Sequence, residues 1–345
     1  MTIPTYLIFQ HYKQKYQKKL DEIPSSSPER HHWTRSIPPP LNQKYLNQSQ
    51  EPLKNSKLCN FIIIIFKRDS VDLKLKGKIA MVAASSKGIG FGIALELAKE
   101  GAKLSIGSRT ELDILEAGKR IENETGTEVL ASVLDSSEAN SIKNWIDVSL
   151  DHFGGIDCLV VNAGGPPPGV FENFSDNDWQ SAFDLNLMSA VRMIRGVIPT
   201  MRQRGGGSII TITSSSVKEP IDILILSNVM RSGTTSLVKS LSKQLASDGI
   251  RLNNLMPGKI DTDRLRNNDE FIAKKNGISV EEHKFKITSN IPIKRYGTIE
   301  EFGKMGAFLL SEASSYITGS TIAAGCGTLT ELGILATFPL NISNP

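Results

Sequence analysis

From Lys76 onward, short apolar runs alternate with longer stretches in which apolar residues recur at helical spacing. The run "KIAMVAA" predicts a strand. "GFGIALELAKEG" predicts a helix in which Ile93, Leu95, Leu97 and Ala98 form a broad apolar face. "AKLSIGSR" predicts a second strand and "ELDILEAGKRIENETG" a second helix. The alternation continues through "EVLASVLD", the helix "NSIKNWIDVSLDHFGG" and the strand "IDCLVVNAGG". A long helix through "WQSAFDLNLMSAVRMIRGVIPTMRQR" precedes the strand "GSIITITSSS". The pattern closes with the helix "RSGTTSLVKSLSKQLASDG", the strand "IRLNNLMPG", the helix "EEFGKMGAFLLSE" and a strand near "GSTIAAG". Strands alternating with helices of this length are βαβ units on a parallel sheet. Right-handed crossovers make such a sheet doubly wound, so the fold class is α/β.

Composition separates the first 70 residues from this body. They contain no glycine, 7 of the 16 prolines and 4 of the 6 tyrosines. Their 11 Lys and Arg against 5 Asp and Glu leave +6, whereas the remaining 29 against 31 leave about −2. The body is therefore near neutral, which argues against a nucleic-acid surface. The extension has no apolar periodicity, and its run "NFIIIIF" is far short of the roughly 20 residues a membrane helix needs. Residues 1–70 are expected to be a disordered basic extension. Val71, at the edge of the first strand pattern, is a candidate start of the native protein, because valine codons can initiate translation. Residues 71–345 are read as one domain. Cys59, Cys158 and Cys326 have neither disulfide nor zinc spacing, so no metal is expected and the cytoplasm is the expected compartment.

Doubly wound sheets bind ligands beyond the carboxyl ends of their strands. "AASSKGIGFGIA" joins the first strand to the first helix, and holds Ser85, Lys87, Gly88, Ile89 and Gly90. Its glycines let the backbone approach a pyrophosphate at the helix N-terminus, where free N–H groups favour anions. Gly92 is expected to serve close packing of this helix on its strand. The second strand ends in Ser108 and Arg109, where a dinucleotide site for NAD usually carries an acidic residue. Arg109 can instead pair a 2′-phosphate, so NADP(H) is preferred over NAD(H). The plainer reading of Arg109 is a solvated edge charge.

These motifs, with those below, resemble the short-chain dehydrogenase/reductase family over residues 74–330, a Rossmann-type single domain. The resemblance implies that Asp135 holds the adenine, and that Asn162, Ala163 and Gly164 in "VNAGG" lie against the adenosine ribose. It places Pro257, Gly258, Ile260 and Thr262 of "PGKIDT" at the nicotinamide amide. Ala83 and Ala84 replace the family's first Thr-Gly, and alanine tolerates positive φ poorly, so this turn is expected to be reshaped. "AGCG" at Ala324–Gly327 departs from the usual Val-Asp-Gly-Gly.

The family's catalytic set is Asn, Ser, Tyr and Lys. Asn186 falls on the asparagine position and Ser214 on the serine position. The tyrosine and lysine positions hold Ser227 and Arg231, and no tyrosine lies between Val71 and Arg295. A serine hydroxyl is far less acidic than a phenol with a pKa of about 10. Ser227 can relay a proton but hardly supply one, and Arg231 can still anchor the nicotinamide ribose. Lys218, Asp222 and His283 are alternative donors, each otherwise a solvated surface charge. The sequence resembles a divergent branch often labelled 3-oxoacyl-acyl-carrier-protein reductase.

Three readings stay open: an oxidoreductase of a carbonyl, alcohol or thioester substrate with a rewired proton route, an NADP(H)-binding regulatory or scaffold protein, and a different chemistry on the same fold such as dehydration or isomerisation. The segment Lys259–Pro292 is expected to form a mobile lid whose basic character would suit an acidic carrier. The resemblance implies a homodimer or homotetramer. No membrane partner is expected.

Overall fold

The computed structural model describes residues 71–325. The chain divides between Ser70 and Val71, and the fold below is that of the second unit. The proposed extension with Cys59, and Cys326 and Gly327, lie outside the described residues.

Seven parallel strands form the sheet: β1 (Ile79–Ala83), β2 (Lys103–Ser108), β3 (Val129–Val133), β4 (Cys158–Val161), β5 (Gly207–Ile212), β6 (Ile250–Pro257) and β7 (Thr321–Ala324). Their order is β3-β2-β1-β4-β5-β6-β7, so the winding reverses between β1 and β4. Helices α1 (Gly88–Lys99), α2 (Glu111–Thr125) and α3 (Ala139–Phe153) follow the first three strands. Helices α4 (Asp176–Phe183) and α5 (Ser189–Gln203) lead to β5, α6 (Ile225–Gln244) leads to β6, and α7 (Asp263–Lys275), α8 (Val280–Ser289) and α9 (Ile299–Leu310) precede β7. This is the Rossmann-type doubly wound sheet that the alternation predicts.

Strand side chains alternate between faces, and β1 is buried on both. Ala80 and Val82 join the cluster that holds Leu97, Ile114 and Phe302, against α1, α2 and α9. Met81 and Ala83 join Trp145, Met193 and Val238, against α3, α5 and α6. Such two-sided burial is why the strand sequences read as unbroken apolar runs.

Two details differ from expectation. The long helix is interrupted: Asp184–Met188, between α4 and α5, forms a single π-helical turn centred on Asn186. Turns of this kind widen the backbone and often sit at functional sites. Gly92 packs α1 on α9 rather than on its strand. A Cβ on Gly92 would meet the Ile299 carbonyl oxygen, and one on Gly303 would meet the Gly92 carbonyl oxygen. The two backbones touch, so neither position has room for a methyl group.

Gly303→Ala should therefore overpack this contact and cost about 1–3 kcal/mol. Calorimetry should show a lower Tm, by roughly 2–4 °C per kcal/mol for a domain of this size.

Candidate active site

At the carboxyl edge of the sheet the chain turns from β1 into α1. Ala84 itself adopts φ +49°, so the alanine takes the left-handed conformation and the expected reshaping of this turn does not occur. The turn is held from three sides. The Asn162 side-chain amide donates to the Ala84 carbonyl at 3.1 Å, the buried Ser85 hydroxyl donates back to the Val82 carbonyl at 2.8 Å, and Gly90 lies where a Cβ would strike the Ala84 oxygen. Gly88 has φ +62°. Lys87, the residue before α1, supplies no side-chain cap, and the first turn of α1 has no acidic residue. Its leading N–H groups are thus available to an anion.

The next two loops add polar groups. Ser108, at the tip of β2, is 8% exposed, and its buried hydroxyl has no hydrogen-bond partner. A buried orphan of this kind is costly unless something fills it. Arg109 beside it is exposed. Asp135 accepts from the Ser137 backbone at 2.9 Å and the Ser137 hydroxyl at 2.7 Å. These bonds from Ser137, with the Arg109 charge, hold the Asp135 carboxyl below the usual carboxylate range.

The loop after β4 meets that after β5 in a short bridge, Gly169 to Leu224. Beneath it, Asn186 donates from Nδ2 to the Gly164 carbonyl at 2.7 Å. Its Oδ1 is buried without a partner, and its backbone carbonyl accepts from Thr234 at 3.0 Å. The π turn thus presents Asn186 to the Gly164 loop while α6 holds it from behind. Ser214 Oγ accepts from the Ser216 backbone at 3.2 Å, so the Ser214 proton remains available for donation. Ser227 is 7% exposed. Four residues on, and so on the same face of α6, Arg231 is half-buried. Arg231 donates from Nη1 to the Ile212 carbonyl at 2.6 Å and from Nη2 to the Ala163 carbonyl at 3.4 Å. Burial, aided by the charge of Arg264, pushes the Arg231 pKa down to about 10. It remains a cation at neutral pH, with carbonyls but no carboxylate as its partners in the described residues.

The "PGKIDT" loop closes the site. Gly258 lies against Gly325, where a Cβ would approach its Cα to 2.5 Å. Ile260 turns its side chain into the core. Thr262 caps α7 by accepting from the Leu265 backbone at 3.3 Å. Its methyl carbon lies 3.6 Å from where a Cβ on Gly88 would be. The loops after β1 and β6 therefore face one another.

The alternative donors lie elsewhere. Lys218 and Asp222 are exposed. His283 is not the solvated charge its sequence context implies: it is buried, with Nε2 3.4 Å from Asp269 Oδ1. Tyr296 donates to Asp269 at 3.0 Å. Burial, then the Asp269 contacts, raises its phenol above the usual range. Together with the bridge between Ile260 and Gly297, this cluster pins the segment expected to be a lid, which folds as α7 and α8. Tyr316 is wholly exposed. A cavity of about 430 Å³ lies at the opposite, amino-terminal edge of the sheet. Its Arg204 is committed to Asp157 at 2.9 Å, and its Arg251 to backbone carbonyls and Ser314, so the reactive groups converge at the other edge. The sequence reading missed Ser216, whose buried hydroxyl is also unpartnered, and Arg264, which is exposed beside Gly165. No local motif marks either.

The enoyl-(acyl carrier protein) reductase family model matches residues 83–328. Dehydrogenase/reductase SDR family member 4 of Bos taurus is 32% identical over 259 residues, covering 75% of this chain and 89% of the relative. NADPH-dependent reductase BacG of Bacillus subtilis is 33% identical over 257 residues, covering 74% of this chain and 99% of the relative. The chain is a short-chain dehydrogenase/reductase.

Among solved structures, L-sorbose reductase from Gluconobacter frateurii, complexed with NADPH and L-sorbose, matches with a TM-score of 0.73 at 32% identity. The match covers 75% of this chain and 99% of that one. As a short-chain dehydrogenase/reductase, the protein is of an oxidoreductase family. Among the described residues no helix is long and apolar enough to cross a membrane.

An alanine in the left-handed region costs about 1–2 kcal/mol. Ala84→Gly should thus be neutral or stabilising by up to about 1 kcal/mol, after the entropy of the added glycine. Ala98→Gly, within α1, should instead lose about 1 kcal/mol. Urea unfolding of the two variants checks the contrast.

Proposed function

We propose that the protein is an NADP(H)-dependent oxidoreductase of small carbonyl or alcohol substrates, with a proton route that bypasses a phenol. One observation carries this reading. Three groups suited to anions or polar atoms lie at a single edge of the sheet: the uncapped start of α1, the buried, unpartnered Ser108 hydroxyl and the Arg231 guanidinium. The residues present fit a phosphorylated dinucleotide. The first turn of α1 would hold its pyrophosphate, Ser108 and Arg109 its ribose substituent, and Arg231 the ribose near the reacting end. BacG and the sorbose reductase, both NADPH-linked by name, support the phosphorylated form.

A bound nicotinamide supplies or accepts the hydride. The chain's own residues hold the carbonyl and manage the proton. Ser214, with its oxygen already accepting from Ser216, can donate to a carbonyl oxygen. Arg231 keeps its proton near neutrality and stabilises negative charge developing at that oxygen. Ser227 would relay a proton from water. 3-Oxoacyl thioesters belong to the substrate class. The absence of a phenol from the site among the described residues favours a second reading, a dinucleotide sensor without turnover.

Two experiments test this reading. The full chain should oxidise NADPH with small ketones or 3-oxoacyl thioesters, and Ser214→Ala should slow turnover by about 100- to 1,000-fold. Bound NADPH, seen by fluorescence, without oxidation would favour the sensor. Separately, a Cβ on Gly164 meets nothing within 4 Å, so it points into open space beside the site. Gly164→Leu should change stability by less than about 0.5 kcal/mol, yet weaken NADPH binding at least about tenfold, roughly 1.4 kcal/mol. Titration and thermal unfolding of that variant separate the two effects.

A further inference from the structure

Arg264 lies in the first turn of α7, directly after the "PGKIDT" loop. Its guanidinium rests on Gly165: a Cβ there would come to 2.5 Å from Nη2 and 2.8 Å from Nη1. Any side chain at 165 would push the arginine off, so the glycine is what admits it. Gly165 follows Gly164, whose carbonyl accepts from Asn186, and Ala163, whose carbonyl accepts from Arg231. Arg264 therefore reaches over the same loop that Asn186 and Arg231 hold from below.

No hydrogen bond or ion pair engages Arg264 among the described residues. The nearby acids are taken, since Asp261 and Asp263 both bind Arg266, each at 2.7 Å. Arg264 and Arg231 are close enough for the charge of one to oppose protonation of the other. Two cations thus share one mouth without a counter-charge. Like charges brought together are unfavourable, and an anion between them would relieve the repulsion. A guanidinium is matched in shape to a carboxylate, which it binds through two parallel hydrogen bonds.

The geometry points to an anion subsite at Arg264, reinforced by Arg231, that selects carbonyl substrates bearing a carboxylate. This deepens the proposed function and rests on its assignment of the reacting edge. Two sources supply an anion here, a substrate carboxylate and the phosphates of the dinucleotide. The structure favours the substrate, because the uncapped start of α1 already offers the phosphates a place.

The test compares 3-oxobutanoate with its methyl ester, and 4-oxopentanoate with its methyl ester, as ligands of the full chain saturated with NADP+. Binding is read by calorimetry, independent of turnover. In the wild type each acid should bind at least about tenfold more tightly than its ester, and Arg264→Gln should erase that preference to within about twofold. Arg264→Lys should retain part of it, and NADPH affinity should be unchanged in both variants. Equal binding of acid and ester, or binding of neither, would overturn the subsite. Loss of NADPH affinity in Arg264→Gln, with the acid preference intact, would assign the arginine to the cofactor and also overturn it. Acid binding without any NADPH oxidation would leave the subsite standing and sink the reductase reading instead.

Discussion

Parallel pairing of β1 with its two neighbours is the constraint on which the rest of the molecule depends. Val82 pairs with Ile106 on one side and Val160 on the other. Every strand therefore delivers its carboxyl end to the same edge, and the loops that follow must meet there. Parallel strands need long crossovers, so helices cover both faces and the central strands β1 and β4 are fully buried. The site follows from this arrangement: residues far apart in sequence, such as Ala84 and Asn162 or Arg231 and Ala163, become hydrogen-bond partners.

The site's electrostatics follow from burial at that edge. Arg231 is enclosed with two backbone carbonyls as partners, so its charge is stabilised only in part. A lysine there could lower a neighbouring phenol's pKa, but with no phenol nearby among the described residues the fixed charge has a different use. It can hold an alkoxide or a ligand's oxygen without yielding a proton. Positioning and charge stabilisation are large terms in their own right, while a positioned general acid adds roughly 100- to 10,000-fold. On the proposed reading, the consequence is a slower reductase whose proton comes from water.

Much of this was legible in the sequence, because alternating apolar runs and helical periods encode a buried parallel sheet directly. The placement of Ser214 just past β5 also followed from order along the chain. Other features depend on three-dimensional packing and left no local mark. The π turn around Asn186 sits inside an unbroken helical pattern. Ala84 keeps a glycine-like backbone because Asn162 and Gly90 brace it. His283 reads as a surface charge until Asp269 and Tyr296 are seen against it. Arg264 is one cation in a polar stretch, and only its contact with Gly165 distinguishes it.

The central claim is that hydride chemistry persists on a site whose described residues include no phenol. The most direct measurement follows deuterium from NADPH dideuterated at C4, so that either face delivers label, into the product formed by the full chain from a ketone, read by mass spectrometry. The account predicts alcohol with deuterium bound to carbon, formed by the wild type and nearly lost in Ser214→Ala. Unlabelled product, or no product from a chain that demonstrably binds NADPH, would contradict it.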